Sequence, residues 1–326
     1  MKVGIIGCGR IATTMADTIN HTEGFELYAV AARDAERAEA FKEKFGASVA
    51  YGSYPELVSD DAVELVYVAT PHSLHKEHML LCIEHNKPIL CEKAFTVNEA
   101  EAAEVFEKAK EKGVYVGEAI WTRYMPVRKM INDIIALGRI GKVTSVTANL
   151  GYKISDKERI IDPALGGGAL LDIGVYPLNF ALMAREGLSI TSMAGLCTKG
   201  ESGVDLKNSM CLNFEDGSQA VLFSDATTIS DRRGFIYGTE GTILVENINN
   251  PSGLTIYGPG RTMEVVEEIA IVPQYNGYEY ELIEAKKSIE AGLIEPPSMP
   301  HRESARVMRL MDGFRKAWGV KLGNEC

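Results

Sequence analysis

The sequence predicts an α/β protein: a doubly wound parallel sheet, then an α/β domain with a large, mainly antiparallel open sheet. Three observations predict it. Strand and helix patterns alternate up to about residue 120, the chain beyond is dominated by strand candidates separated by turn signals, and 326 residues exceed what one hydrophobic core usually serves. The expected division is residues 1–120 for the parallel sheet, 121–300 for the second sheet, and 301–326 for a C-terminal helix that packs as a brace.

Taken in order, Lys2–Ile6 is a short buried strand, Gly7-Cys8-Gly9-Arg10-Ile11-Ala12 is a glycine turn that opens a helix, and 25–31 is a second strand. A helix over Ala35–Phe45, a strand over 65–69, a helix over 74–85, a strand over 88–91, a helix over Glu99–Lys112 and a strand over 114–118 continue the rhythm. In such a sheet, ligand chemistry gathers at the carboxyl ends of the strands. After Trp121 a helix over 127–137 leads into strand candidates at 143–150, 210–214, 219–226, 234–238, 242–246, 254–257 and 263–267. Turn signals such as Glu215-Asp216-Gly217 and Gly238-Thr239-Glu240-Gly241 separate them. Residues 174–184 fall in a helix that begins near Leu170, and Val307, Leu310, Met311 and Phe314 share one face of a helix over 302–318.

The first strand, turn and helix outline a dinucleotide-binding unit of the Rossmann type. Glycines at 7 and 9 permit a tight turn and let a pyrophosphate approach the amides of Arg10, Ile11 and Ala12 at the helix N-terminus. Ala12 is small enough for the helix to pack on the strand. Where an NAD-specific unit carries an Asp or Glu at the end of the second strand, this chain has Ala31 and Ala32, followed at once by Arg33. Arg37, one turn on, is expected to share a helix face with Arg33, so that two guanidiniums clamp a 2′-phosphate. The cofactor indicated is NADP.

A net charge of −11 with no basic run argues against a nucleic-acid surface, and small molecules are the expected partners. The six cysteines form no CxxC pair, which points to a reducing compartment, and no His, Cys or carboxylate spacing suggests a metal. Residues 1–12 are too short and too polar at Arg10 for a secretion signal. No stretch is read as approaching the roughly twenty apolar residues of a membrane span. The expected location is cytoplasmic.

Four clusters could carry chemistry. Thr70-Pro71-His72-Ser73-Leu74-His75 follows a strand, where a loop lines the cofactor; a helix start with two incidental imidazoles is the plainer alternative. Cys91-Glu92-Lys93-Ala94 puts a cation at the same rim, and Glu118-Ala119-Ile120-Trp121-Thr122-Arg123-Tyr124 gathers a carboxylate, an aromatic and a cation. In Gly166-Gly167-Gly168-Ala169-Leu170-Leu171-Asp172-Ile173-Gly174-Val175-Tyr176, glycines expose backbone before a helix on which Asp172 and Tyr176 stand four apart. That pair could orient and exchange a proton with one substrate hydroxyl, or could form an ordinary hydrogen bond behind a flexible loop.

On Gly7-Cys8-Gly9 with Ala12, the Thr70 to His75 loop, Glu92-Lys93 and the Gly166 to Tyr176 block, the chain resembles the glucose-fructose oxidoreductase/inositol dehydrogenase family (Gfo/Idh/MocA) over essentially its whole length. Ala31-Ala32-Arg33-Asp34, Glu118 to Arg123 and Leu171 to Tyr176 are most similar to its dimeric dihydrodiol dehydrogenase branch, which also oxidises D-xylose with NADP. The resemblance implies Lys93 and Tyr176 at the reacting hydroxyl with Asp172 beside them. It also implies Trp121 and Arg123 along the cofactor and substrate pocket, and a homodimer formed through the open sheet face. Many relatives have His at the Tyr176 position. The family has Glu-Lys-Pro where this chain has Glu92-Lys93-Ala94, and a cis bond before a residue other than proline costs about 2.5 to 4 kcal/mol, so the peptide after Lys93 is expected to be trans.

The leading function is hydride transfer between NADP and a vicinal diol, aldose or related carbonyl compound. A glycosidase with a transient nicotinamide redox step and a non-enzymatic NADP sensor are the alternatives, and the set Lys93, Asp172 and Tyr176 weighs against the sensor. Free Tyr titrates near about 10, so Tyr176 as base needs the ammonium of Lys93 close by. The other possibility is that Lys93 is itself the base.

Overall fold

Two helices in the first part of the chain are bounded by local caps. The computed structural model describes residues 1–325 and runs β1 (Lys2–Ile6), α1 (Arg10–Asn20), β2 (Glu26–Ala31), α2 (Ala35–Phe45), β3 (Val49–Tyr51), α3 (Tyr54–Ser59), β4 (Leu65–Val68), α4 (His75–Glu84), β5 (Ile89–Glu92), α5 (Glu99–Lys112) and β6 (Val116–Ala119). The Asp34 carboxylate caps α2 by accepting from the Glu36 and Arg37 amides at 3.0 and 3.3 Å, and Gly46 ends the helix at φ 74°. Asn98 caps α5 in the same way through the Glu101 amide. The six strands pair in parallel in the order β3-β2-β1-β4-β5-β6. The winding reverses between β1 and β4, so the carboxyl ends of these two strands border a crevice.

The chain continues through α6 (Pro126–Ala136), β7 (Val143–Gly151), α7 (Glu158–Ile161) and α8 (Val175–Ala184) to a run of strands: β8 (Ile190–Lys199), β9 (Asp205–Phe214), β10 (Gln219–Asp225), β11 (Gly234–Gly238), β12 (Thr242–Val245), β13 (Gly253–Tyr257) and β14 (Val265–Ala270). They form one sheet in the order β14-β13-β12-β11-β7-β10-β9-β8, antiparallel except where β7 and β10 pair in parallel. α8 and the turn before it cover one face of the central strands. The helical run Pro163–Ala184 corrects the expectation about apolar stretches. It is 22 residues long and apolar enough to span a membrane, yet the whole of its most apolar stretch is buried, as the core helix of this unit.

The last helices are α9 (Glu279–Glu290) and α10 (His301–Trp318). One compact unit comprises Met1–Tyr124 with Gln274–Arg309, and the other Met125–Pro273 with Leu310–Cys326. This differs from the division read in the sequence, which assigned residues up to 300 to the second sheet. Leu282 and Ala285 of α9 belong to the core beneath β1 and β4, and the Tyr275 hydroxyl and Asn276 amide bond to Asp17 and Thr18 of α1. The tail therefore returns to the first unit, and α10 contributes its first half to that unit and its second half to the other.

Candidate active site

The glycine turn fits a dinucleotide by geometry. Gly7 has φ 95°, and a Cβ there would fall 2.9 Å from the Ala69 carbonyl oxygen, so the backbone after β1 lies against the backbone after β4 with no room for a side chain. Gly9 is the N-cap of α1 and supplies no capping group, which leaves the first-turn amides, those of Arg10, Ile11 and Ala12, for an outside acceptor. Ala12 is fully buried against the sheet. Arg37 donates from Nη2 to the Cys8 carbonyl at 2.9 Å and so lies over this turn. Arg33 is exposed at the end of β2. It precedes the Asp34 cap, which corrects the expectation that it shares a helix face with Arg37; the two arginines flank the cap instead.

Thr70, Pro71 and His72 form the loop after β4, with Pro71 opening a short 3-10 turn over His72–Leu74. The Thr70 hydroxyl bonds His78 Nδ1 at 3.0 Å, and the Tyr54 ring meets His78 edge-on at 4.7 Å. The charge of Arg33 bears on both rings, so Tyr54 and His78, which the sequence reading did not single out, join this rim.

His75 is a brace rather than a ligand contact. It is fully buried, with Nε2 2.8 Å from the Thr70 carbonyl and Nδ1 3.0 and 3.2 Å from the Ala94 and Phe95 carbonyls. One ring thereby ties the loop after β4 to the loop after β5. Burial pushes the imidazole down to about 3. The Lys93-Ala94 peptide is cis, contrary to the trans bond expected before alanine. Glu92 also turns inward. Its carboxylate accepts from the Tyr67 hydroxyl and, at 3.2 Å, from the Lys93 amide, so it helps to fix the backbone of Lys93. Lys93 itself is half-buried.

After β6, Trp121 is 5% exposed and stacks on Tyr278 with ring centres 4.1 Å apart. Arg123, expected along the pocket, is enclosed in the unit: its side chain has no exposure and lies 3.7 Å from Glu303. Two further acids share this interior. Burial pushes the Glu118 carboxyl up to about 7, against the pull of Ser304 and Arg123. Burial, reinforced by the charge of Glu92, holds Glu281 well above the ordinary carboxylate range.

In the second unit, Leu170–Gly174 is a π turn that leads into α8, so Asp172 lies in the π turn and Tyr176 in the α-helix, not both on a regular helix face. Such turns recur at functional sites. Arg159 of α7 pairs with Asp172 at 2.6 Å. Nothing in the sequence pattern marked Arg159, since the partners are thirteen residues apart across an irregular loop. Among the described residues no group of three or more His, Cys, Asp or Glu could hold a metal.

Residues 1–119 match the model of an oxidoreductase family with an NAD-binding Rossmann fold, and residues 129–244 match the GFO/IDH/MocA C-terminal domain. The chain belongs to the Gfo/Idh/MocA family. It is 32% identical over 328 residues to a trans-1,2-dihydrobenzene-1,2-diol dehydrogenase of Mus musculus, covering 98% of this chain and 97% of the mouse protein. The Homo sapiens protein of that name is 31% identical over 326 residues, with the same coverage of 98% and 97%. Among solved members of the fold, KijD10, a 3-ketoreductase from Actinomadura kijaniata in complex with NADP and TDP-benzene, superposes with a TM-score of 0.87 at 25% identity, over 99% of this chain and 98% of that one. Levoglucosan dehydrogenase in complex with NADH and levoglucosan shares the fold at a TM-score of 0.85 and 18% identity, over 98% and 97% of the two chains. The family resemblance read from the motifs and the fold class both stand.

Glu118 gives a pH test of this interior. Its carboxyl rises from an ordinary 4.5 to about 7 in the fold, so between those values the folded state binds the extra proton and stability falls as pH rises through the window. At about 1.36 kcal/mol per unit, wild type loses about 3 kcal/mol by pH 8 relative to Glu118→Gln, which cannot ionise. Urea unfolding of both proteins from pH 5 to 8 measures the difference, and parallel stability curves would contradict the assignment.

Proposed function

We propose that the protein is an NADP-dependent oxidoreductase that transfers hydride between the nicotinamide and a CH–OH group of a vicinal diol, aldose or related carbonyl compound. The observation that carries the cofactor choice is the end of β2. Ala31 and Ala32 stand where an NAD-specific unit needs a carboxylate, Arg33 follows in the open, and Arg37 lies over the glycine turn. The substrate class draws support from relatives that are named as a trans-1,2-dihydrobenzene-1,2-diol dehydrogenase and a 3-ketoreductase.

In this reading Gly7, Gly9 and the amides of Arg10, Ile11 and Ala12 hold the pyrophosphate, Arg33 and Arg37 the 2′-phosphate, and Thr70, Pro71, His72 and Trp121 line the rest. The nicotinamide accepts or donates the hydride. Tyr176 Oη takes the hydroxyl proton during oxidation, while Lys93 Nζ bonds the same substrate oxygen and stabilises its developing negative charge. Asp172, held by Arg159, orients the substrate. Glu92 and His75 keep the Lys93 backbone in place from behind.

Replacing both Arg33 and Arg37 with Ala is expected to weaken NADP binding by several kcal/mol at most, at about 1.5 to 3 kcal/mol for each charged hydrogen-bonding partner, and to leave NAD binding nearly unchanged. Titrating both cofactors by fluorescence tests this, and equal losses would refute the clamp.

Tyr176→Phe removes only the hydroxyl. Turnover is expected to fall by about a hundredfold to ten-thousandfold with NADP binding unchanged. Lys93→Met is expected to lose turnover as well. A Tyr176→Phe enzyme with a near-normal rate and pH profile beside an inactive Lys93→Met would move the base to Lys93.

We also propose a cytoplasmic homodimer. One face of the second sheet carries Leu196, Val221 and Phe223, 77%, 52% and 43% exposed, with Phe235 and Tyr237 on the same face across the intervening Ser209 and Thr147, and a sheet face of this kind suits a second copy of the chain. Sedimentation at micromolar concentration is expected to show a dimer, and Phe223→Lys is expected to shift it to monomer. A wild-type monomer would sink the proposal.

A further inference from the structure

We propose that Asp205, the first residue of β9, is a positioning residue for Asp172 and Tyr176, because its carboxylate pins the amide that starts the π turn, which holds Asp172 and leads into the helix that holds Tyr176. The inference rests on the reading of Tyr176 as proton carrier. Asp205 is 1% exposed, and its Oδ2 accepts from the Leu170 amide at 2.8 Å and from Asn208 Nδ2 at 2.8 Å. The amides at a helix start have no partner within the helix, and here one of them is met by a buried charge. The fit extends to Gly168, which has φ 109° and whose absent Cβ would lie 2.5 Å from Asp205 Oδ1. The carboxylate thus fills the space a side chain would take, and the glycine block closes around it. From there the chain is short. The Asp172 amide bonds the Gly168 carbonyl at 3.3 Å, and Tyr176 follows on the same helical run.

The surroundings of Asp205 decide how it responds to pH. Burial pushes its carboxyl up to about 6, while the Asn208 side chain, the Leu170 amide and the charge of Arg315 favour the ionised form. Arg315 of α10 is itself paired with Asp312 and Glu325. Cys197 and Lys199 face Asp205 from β8, with the Lys199 ammonium donating to the Gly319 carbonyl. Lys207, two residues along β9, pairs with Asp225 of β10. Asp172, in the π turn, pairs with Arg159. Below pH 6 Asp205 takes up a proton, and charge-assisted bonds to Leu170 and Asn208 become weaker neutral ones. Turnover should therefore fall on the acid side as the π turn loosens.

The test is kcat and KM against pH for the full-length enzyme with NADP. Wild type is expected to show an acid limb in kcat near pH 6. Asp205→Asn is expected to lose about ten- to hundredfold in kcat, the scale of a small misplacement of reacting groups, without that limb and with the NADP dissociation constant unchanged within about twofold. Asn208→Leu is expected to shift the acid limb upward in pH, since it removes one bond that favours the charged form; it serves if Asp205→Asn does not fold. Wild-type kcat with an unchanged limb in Asp205→Asn, or an unmoved limb in Asn208→Leu, overturns the proposal. A fully active Tyr176→Phe overturns the underlying reading instead, whatever Asp205 does.

Discussion

The close approach of two backbones, Gly7 after β1 and Ala69 after β4, is the constraint on which the first unit depends. A single Cβ at residue 7 would fall 2.9 Å from the Ala69 carbonyl oxygen, so the crevice at the winding reversal keeps its shape only with glycine there. That closeness puts the loop beginning at Thr70 beside the glycine turn. His75 then carries the constraint one strand further by holding the Thr70 carbonyl on one ring nitrogen and the Ala94 and Phe95 carbonyls on the other. The backbone at the carboxyl ends of three neighbouring strands is thereby fixed by one close approach and one buried ring.

The interior behind this rim is polar to an unusual degree. Glu92, Glu118, Glu281 and Arg123 are all buried, alongside the hydroxyls of Tyr67 and Tyr115. Burying charges without compensation costs several kcal/mol each, so the arrangement persists only because some are paired and others are held neutral. Arg123 lies against Glu303, and the carboxyls of Glu118 and Glu281 are shifted toward the protonated state. This explains why Arg123 and Glu92 read in the sequence as site residues and yet face inward. Position at or just after a strand end says that a residue is near the rim, but the local backbone, strand pleat for Glu92 and a 3-10 turn over Trp121–Arg123 for Arg123, decides whether it points to the crevice or to the core.

The parallel sheet was legible because its signals are local: an apolar run, a capping residue such as Asp34 or Asn98, and a closing glycine. What escaped lacks such signals. β3 is three residues long, and β8 (ITSMAGLCTK) has a partly solvated face with Gly195 in its middle. The return of α9 to the first core joins residues such as Asn276 and Thr18 that are 258 apart in sequence. No short-range pattern encodes that contact. The site divided along the same line. Gly7, Gly9, Arg37, Lys93, Asp172 and Tyr176 stood in contiguous motifs, whereas Arg159, His78 and Asp205 act through pairings that exist only after folding.

The two halves of the proposed chemistry also differ in how firmly the fold holds them. Arg33 is exposed beyond a helix cap, where substitution generally changes stability by less than about 0.5 kcal/mol, so cofactor preference can be altered there at little structural cost. Every residue from Gly166 through Ala184 is buried, and Asp205 both accepts from the Leu170 amide and fills the space that a Cβ at Gly168 would take. A change near Tyr176 must therefore be accommodated by the core of the second unit before it can affect a substrate. On that ground the arginines proposed to select NADP should tolerate exchange, while the proposed acid–base group, Tyr176, is tied to a packed core that includes a glycine, a π turn and one buried carboxylate.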